Sequence, residues 1–145
     1  MNIINHLESN SKKYPEKNAI IFENEKISYK ELYDRVQNFS LSISELNKEV
    51  ISLISENSIS FIIFYLGIIR SGNIVHIVPP EISETNLNNQ IKSANSQLII
   101  CSENVFNNIS KYSKIKTQIL KFSEIKSYSK TDKIRISWIA RMNKA

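Results

Sequence analysis

The chain of 145 residues predicts an α/β fold, a mainly parallel sheet flanked by helices. Apolar runs of strand length alternate with segments of helical period over residues 50–122, the pattern of βαβ units joined by right-handed crossovers. Two of those runs, Val50-Ile51-Ser52-Leu53-Ile54 and Leu98-Ile99-Ile100-Cys101, are apolar almost throughout. A strand covered on both faces reads that way, whereas a half-solvated strand alternates. Composition agrees: 41% hydrophobic and 23% charged residues belong to a chain with a packed core, and the length suits one domain.

Taken in order, Asn2 caps a first helix that runs to about Lys13 and is stopped by Pro15. Ala19–Phe22 and Lys26–Ser28 are a short strand and its return, with Glu23-Asn24-Glu25 as the turn. Ser28-Tyr29-Lys30-Glu31 has the form of a capping box: the Ser28 hydroxyl accepts from the Glu31 amide, and the Glu31 carboxylate reaches back to the Ser28 amide. The helix it starts carries Leu32, Val36, Phe39, Ile43 and Leu46 on one face. After the Val50–Ile54 strand, Ser55–Ser58 is a polar turn into an apolar helix, Ile59–Ser71, with Gly72 placed to end it in the left-handed region. Ile74–Val78 is the next strand, closed by Pro79-Pro80. Ser83 or Thr85 caps a helix carrying Leu87, Ile91 and Ala94; Leu98–Cys101 is a strand; Ser102 caps Glu103 to about Tyr112. Ile119–Phe122 and Lys133–Trp138 are further strand candidates.

Net charge is +5, unevenly spread. Residues 1–110 hold nine Lys or Arg against twelve Asp or Glu, and residues 111–145 hold ten against two. A body that is mildly acidic with a basic end argues against a nucleic-acid surface over the whole domain, and the basic end reads as a solvated face. Trp138 alone offers no stacking platform. One cysteine, Cys101, excludes an internal disulfide and a cysteine metal cluster; its place at a strand end reads as ordinary burial. The opening Met1–His6 has no basic-then-apolar signal pattern. The run Ile59–Ile69 is shorter than the roughly 20 residues that span a bilayer. These features predict a cytoplasmic chain with no membrane partner. Heavy use of Ile, Asn, Ser and Lys follows A/T-rich codons and carries little functional weight.

Two segments resemble core motifs of the adenylate-forming (AMP-binding) synthetase/ligase superfamily. Ile27-Ser28-Tyr29-Lys30-Glu31-Leu32 matches the first: an apolar residue, Thr or Ser, Tyr, any residue, Glu and Leu. Leu66-Gly67-Ile68-Ile69-Arg70-Ser71-Gly72-Asn73-Ile74-Val75-His76-Ile77-Val78-Pro79-Pro80 resembles the second, a helix end, a basic residue, a small residue and Gly, then an apolar strand ending near Pro. Ser55–Ser58, Asn5-His6-Leu7 and Tyr14–Ile20 fit at family distances, so the resemblance covers about residues 1–105. Asn73 and Pro79 depart from the usual Ala and Asn or Asp, and His76 is similar to some acyl-CoA ligases, a slight tilt toward that branch.

The resemblance implies a partial N-terminal subdomain of the ligase fold over residues 1–125, followed by a basic tail at residues 126–145. It implies a parent reaction in which a carboxylate attacks ATP to form an acyl-adenylate, with thioester formation following. The parent family uses ATP, Mg and often coenzyme A. A pyrophosphate leaving group needs close backbone amides in a Gly-, Ser- and Thr-rich loop with a Lys. This sequence has two glycines, Gly67 and Gly72, both inside the second motif. No cofactor is therefore expected on this segment, and no residue is assigned a catalytic, cofactor-binding or metal-ligating role. The expected partner is a separately encoded remainder of the ligase. Glu31 reads as a cap, His6 as surface, His76 as half-buried, and Asp34 with Arg35 and Glu45 with Lys48 or Glu49 as solvated helix faces. The alternative is a non-catalytic flavodoxin-like binding module with a basic tail.

Overall fold

The computed structural model describes residues 2–126, 133 and 134. Among them the order is α1 (Ile3–Lys13), β1 (Asn18–Phe22), β2 (Glu25–Ser28), α2 (Tyr29–Ser42), β3 (Val50–Ile54), α3 (Ile59–Arg70), β4 (Ile74–Val78), α4 (Glu84–Ala94), β5 (Leu98–Cys101), α5 (Glu103–Ile109), β6 (Ile119–Lys121) and α6 (Phe122–Lys126). A four-stranded sheet in the order β4-β3-β5-β6 is parallel throughout, and β1 and β2 form a separate antiparallel hairpin.

The sheet is covered on both faces, which is why its inner strands contain so little polar sequence. Ile51, Leu53, Leu98 and Ile100 face a cluster with Phe39, Ile43, Phe64 and Ile68 from the α2–α3 side. Ile54, Ile99 and Cys101 face Leu87, Ile91, Val105 and Ile109 from α4 and α5. Each fully buried Ile or Leu contributes about 1.5–3 kcal/mol relative to exposure. A third cluster packs α1 and the hairpin onto α2 and α3 through Ile4, Leu7, Ile27, Leu32, Val36, Ile63 and Leu66. No helix among the described residues is long and apolar enough to cross a membrane.

Helix starts follow the sequence. Asn2, Ser28, Ser58, Ser83 and Ser102 each cap a helix, their side-chain oxygens accepting from the amide three residues on. Ser83 rather than Thr85 takes the cap of α4, which leaves Thr85 in its first turn. The capping box at Ser28 is half formed. The Ser28 hydroxyl accepts from the Glu31 amide at 3.1 Å, but the Glu31 carboxylate turns outward and accepts from Arg35 at 2.7 Å. The charge-assisted bond one helical turn on takes the place of the reach-back to an amide.

Helix ends depart further. α2 stops at Ser42, so Ile43 and Leu46 complete the apolar stripe from the loop, both buried. Glu45, Lys48 and Glu49 accordingly lie in that loop and not on a helix, with Lys48 at φ 54°. Asn73 accounts for the loop's shape: its amide donates to the Leu46 carbonyl and the Ser71 hydroxyl, and its oxygen accepts from the Glu49 amide. An Ala there would leave that buried backbone unpaired. α5 ends at Ile109, short of Tyr112, whose hydroxyl instead reaches across to the Ile82 carbonyl. α4 closes on Asn95 in the left-handed region, one of the few residues besides Gly that tolerates it.

Of the Lys133–Trp138 strand candidate, only Lys133 and Ile134 lie within the described residues, and neither is in a strand. They bind the carboxyl end of α2. Ile134 is buried in the α2–α3 cluster and its amide donates to the Ser42 carbonyl, while the Lys133 ammonium caps the Leu41 carbonyl at 2.8 Å. Positive charge at a helix carboxyl end is favoured by the exposed carbonyls.

Candidate functional site at the carboxyl rim of the sheet

Ligands of open parallel sheets bind beyond the carboxyl ends of the strands, where successive connections diverge to opposite sides. Here that point lies between β3, whose connection through α3 leads outward to β4, and β5, whose connection through α5 leads the other way to β6. The register pairs Ile54 with Cys101, so the residues that follow, Ser55, Glu56 and Ser102, come together at the rim.

The rim is acidic. Ser102 donates its hydroxyl proton to the Glu56 carboxylate at 2.9 Å while its oxygen caps α5, and its amide donates to the Ile54 carbonyl. Glu103 accepts from the Ser123 amide at 2.8 Å, tying the start of α5 to the start of α6. Cys101 is fully buried beneath this group. Burial, then the nearby Glu103, Glu124 and Glu56 carboxylates, push its thiol up to about 12, so at neutral pH it is an unreactive apolar side chain, as its sequence position implies. Lys121, at the end of β6, lies over the Phe106 ring at 5.0 Å.

A second polar cluster sits inside the sheet, on the face toward α4. The Ser52 hydroxyl lies 2.7 Å from His76 Nδ1 and donates to the Ser96 hydroxyl at 2.8 Å, and Ser96 donates to the Leu98 carbonyl at 3.1 Å. Each hydroxyl has one proton, and both are committed along this chain. With the Ser52 proton directed to Ser96, it is the His76 Nδ1–H that donates to Ser52. Burial lowers the imidazole below its ordinary 6.5. His76 is half-buried, as expected, but its Ser52 partner was not legible. The two residues are 24 apart and meet only because the parallel register sets Ser52 beside His76.

The remaining motif residues make packing contacts and surface ion pairs. Tyr29 is packed against the hairpin cluster. Lys30 pairs with Asp34 and Arg35 with Glu31 on an exposed helix face, and His6 is exposed. Arg70 lies over the Tyr33 ring at 5.9 Å. Among the described residues no three His, Cys, Asp or Glu side chains are grouped to hold a metal ion. A groove of about 560 Å³ lined by Asn88, Lys92, Lys114, Lys116 and Thr117 lies by the strand beginnings, opposite the rim.

The family model described as AMP-binding enzyme matches residues 7–140. The chain belongs to the AMP-binding enzyme family. This AMP-binding segment is 35% identical over 72 residues to gramicidin S synthase 2 of Brevibacillus brevis, covering 48% of the chain and 2% of that protein. It is 22% identical over 108 residues to tyrocidine synthase 2 of Brevibacillus parabrevis, covering 72% of the chain and 3% of that protein. Among solved structures, Klebsiella oxytoca NpsA in complex with 3-hydroxyanthranilyl-AMSN superimposes with a TM-score of 0.75 at 16% identity, over 92% of this chain and 27% of that one. The Bacillus subtilis O-succinylbenzoate coenzyme A synthetase in complex with AMP does so with a TM-score of 0.75 at 16% identity, over 90% of this chain and 34% of that one. The fold is thus that of the N-terminal subdomain of adenylate-forming ligases, and the segment spans a few hundredths of its curated relatives. The matched relatives include peptide-named synthases as well as a coenzyme A synthetase, so the tilt that His76 suggested is minor.

Proposed function

We propose that this chain is scaffold from an adenylate-forming ligase, whose parent reaction joins a carboxylate to the α-phosphate of ATP, releases pyrophosphate and passes the acyl group to a thiol. The 145-residue chain does not perform that reaction alone. One observation carries the reading: the sheet's switch point holds the Glu56–Ser102 pair with Glu103 nearby, where a polyphosphate would need converging amides and cations. Its two glycines supply no loop either, because Gly67 is inside α3 and Gly72 closes it. The residues at the rim do not fit ATP with Mg, and no chemical step is routed through them.

Carboxylate activation is the substrate class the family membership supports; a coenzyme A synthetase and an anthranilate-type adenylate complex among the similar structures fit it. The cytoplasmic setting is kept from the sequence reading, in which a single cysteine, Cys101, offers no disulfide framework. The test is a pyrophosphate-release assay of the chain with ATP, Mg and a panel of carboxylic acids. Release at the level of the enzyme-free blank is expected. Turnover dependent on an added acid would overturn the inactive-scaffold reading.

A further inference from the structure

We infer that the basic groove between α4 and the loop entering β6 is a docking site for an acidic, extended segment of a partner protein. This groove lies apart from the acidic rim and owes nothing to the ligase reading.

The loop after α5, residues 110–118, carries Lys111, Lys114 and Lys116 and no acid. Its course is fixed by hydrogen bonds. The Tyr112 hydroxyl donates to the Ile82 carbonyl at 2.8 Å, the Lys114 amide to the Glu84 carboxylate at 2.6 Å, and the Ile99 amide to the Gln118 carbonyl at 2.9 Å. Lys114 and Lys116 thus line one groove of about 560 Å³ together with Lys92 of α4. Among the described residues none of these three ammoniums has an ion pair. Glu84, the carboxylate bound to this loop, is taken up by a backbone amide. Like charges gathered on one groove repel each other, and the fold gains nothing from that.

Three kinds of group line the groove, and together they select its occupant. Lys92, Lys114 and Lys116 are exposed cations. Asn88 and Thr117 are half-buried, and their side chains have no hydrogen-bond partner among the described residues. Ile91, 6% exposed, and the half-buried Ile115 form an apolar floor continuous with the α4–α5 cluster. A polypeptide matches all three: carboxylates meet the ammoniums, backbone amides and carbonyls pair with Asn88 and Thr117, and an apolar side chain covers the isoleucines. A small acid does not. Exposed ion pairs are individually weak, so a single anion gains little, whereas carboxylates strung on one chain act together. Small-molecule sites also enclose their ligand, and the cations here are at the surface. A nucleic acid takes rings to stack on, and no aromatic side chain lines this groove.

The probe is a short fluorescent peptide of alternating Glu and Leu, titrated with the 145-residue chain. Saturable binding is expected, with amide NMR shifts at Asn88, Lys92, Ile115 and Thr117. Raising salt from about 0.05 M to about 0.5 M weakens it about tenfold, because exposed charges are then screened. The triple variant Lys92→Gln, Lys114→Gln, Lys116→Gln also weakens it about tenfold. A control triple, Lys13→Gln, Lys17→Gln, Lys26→Gln, removes as much charge from exposed sites around α1 and the hairpin and leaves binding within about twofold. Equal thermal melting of the two triples shows that the loss is not misfolding. Equal weakening by both, or no saturable binding, overturns the inference. Citrate bound as tightly as the peptide assigns the groove to small acids, and a uridine-rich RNA oligonucleotide bound as tightly assigns it to nucleic acid; either overturns it. So does a dimer of the chain that the groove triple abolishes, which assigns the groove to a second copy. The pyrophosphate-release result stands apart from all of these outcomes.

Discussion

Partial burial disfavours the charged His76 ring and lowers it below its ordinary 6.5, and its Nδ1 lies 2.7 Å from the Ser52 hydroxyl. The sign of its contribution to stability follows from that. Its folded pKa lies below the ordinary 6.5, so the unfolded chain takes up the proton first as pH falls. Stability associated with the neutral ring is complete above the unfolded value and is lost as pH drops through the depressed folded one. Denaturant midpoints measured from about pH 7 to about pH 5 are expected to fall more in the native chain than in His76→Gln. Nitrogen NMR of His76 is expected to show the Nδ1–H form. An Nε2–H form, or titration above 6.5, would contradict the Ser52–Ser96 chain of hydrogen bonds.

The helix–strand unit made of α3 and β4 holds both glycines of the second motif, for different physical reasons. A Cβ at Gly67 would overlap the Phe39 ring, so this glycine keeps α3 close to α2. Gly72 meets nothing within 4 Å but has φ 84°, so it is needed for its backbone alone. Gly67→Ala gains about 1 kcal/mol of helix propensity and loses about 1–3 kcal/mol to overpacking, which leaves the chain less stable. Gly72→Asn, a residue that accepts positive φ, is expected to stay within about 0.5 kcal/mol of the parent. Chemical denaturation of the two variants distinguishes the roles; equal losses would show that both positions are limited by space.

The same unit shows what was legible. Strand positions and helix starts could be read because apolar runs and Ser or Asn caps are local signals, as at Ser58 and Val50–Ile54. Helix ends were less legible: the stripe through Leu46 continues past Ser42 because loop side chains complete the same apolar surface. The rim pair Glu56–Ser102 and the His76–Ser52 contact depend on register between segments 46 and 24 residues apart. Nothing in either segment alone carries that information.

At the scale of the molecule, the parallel sheet orders three apolar clusters around one frame, and the chain's basic end reaches back through Lys133 and Ile134 to the end of α2. That frame has the shape of an adenylate-forming ligase's N-terminal subdomain, with carboxylates at the position where nucleotide-binding sheets present amides. The account stands or falls on whether such a frame can hold a triphosphate. Calorimetric titration of the 145-residue chain with ATP and Mg is the direct measurement. No saturable heat is the predicted result; tight ATP binding that disappears when Mg is removed would contradict it.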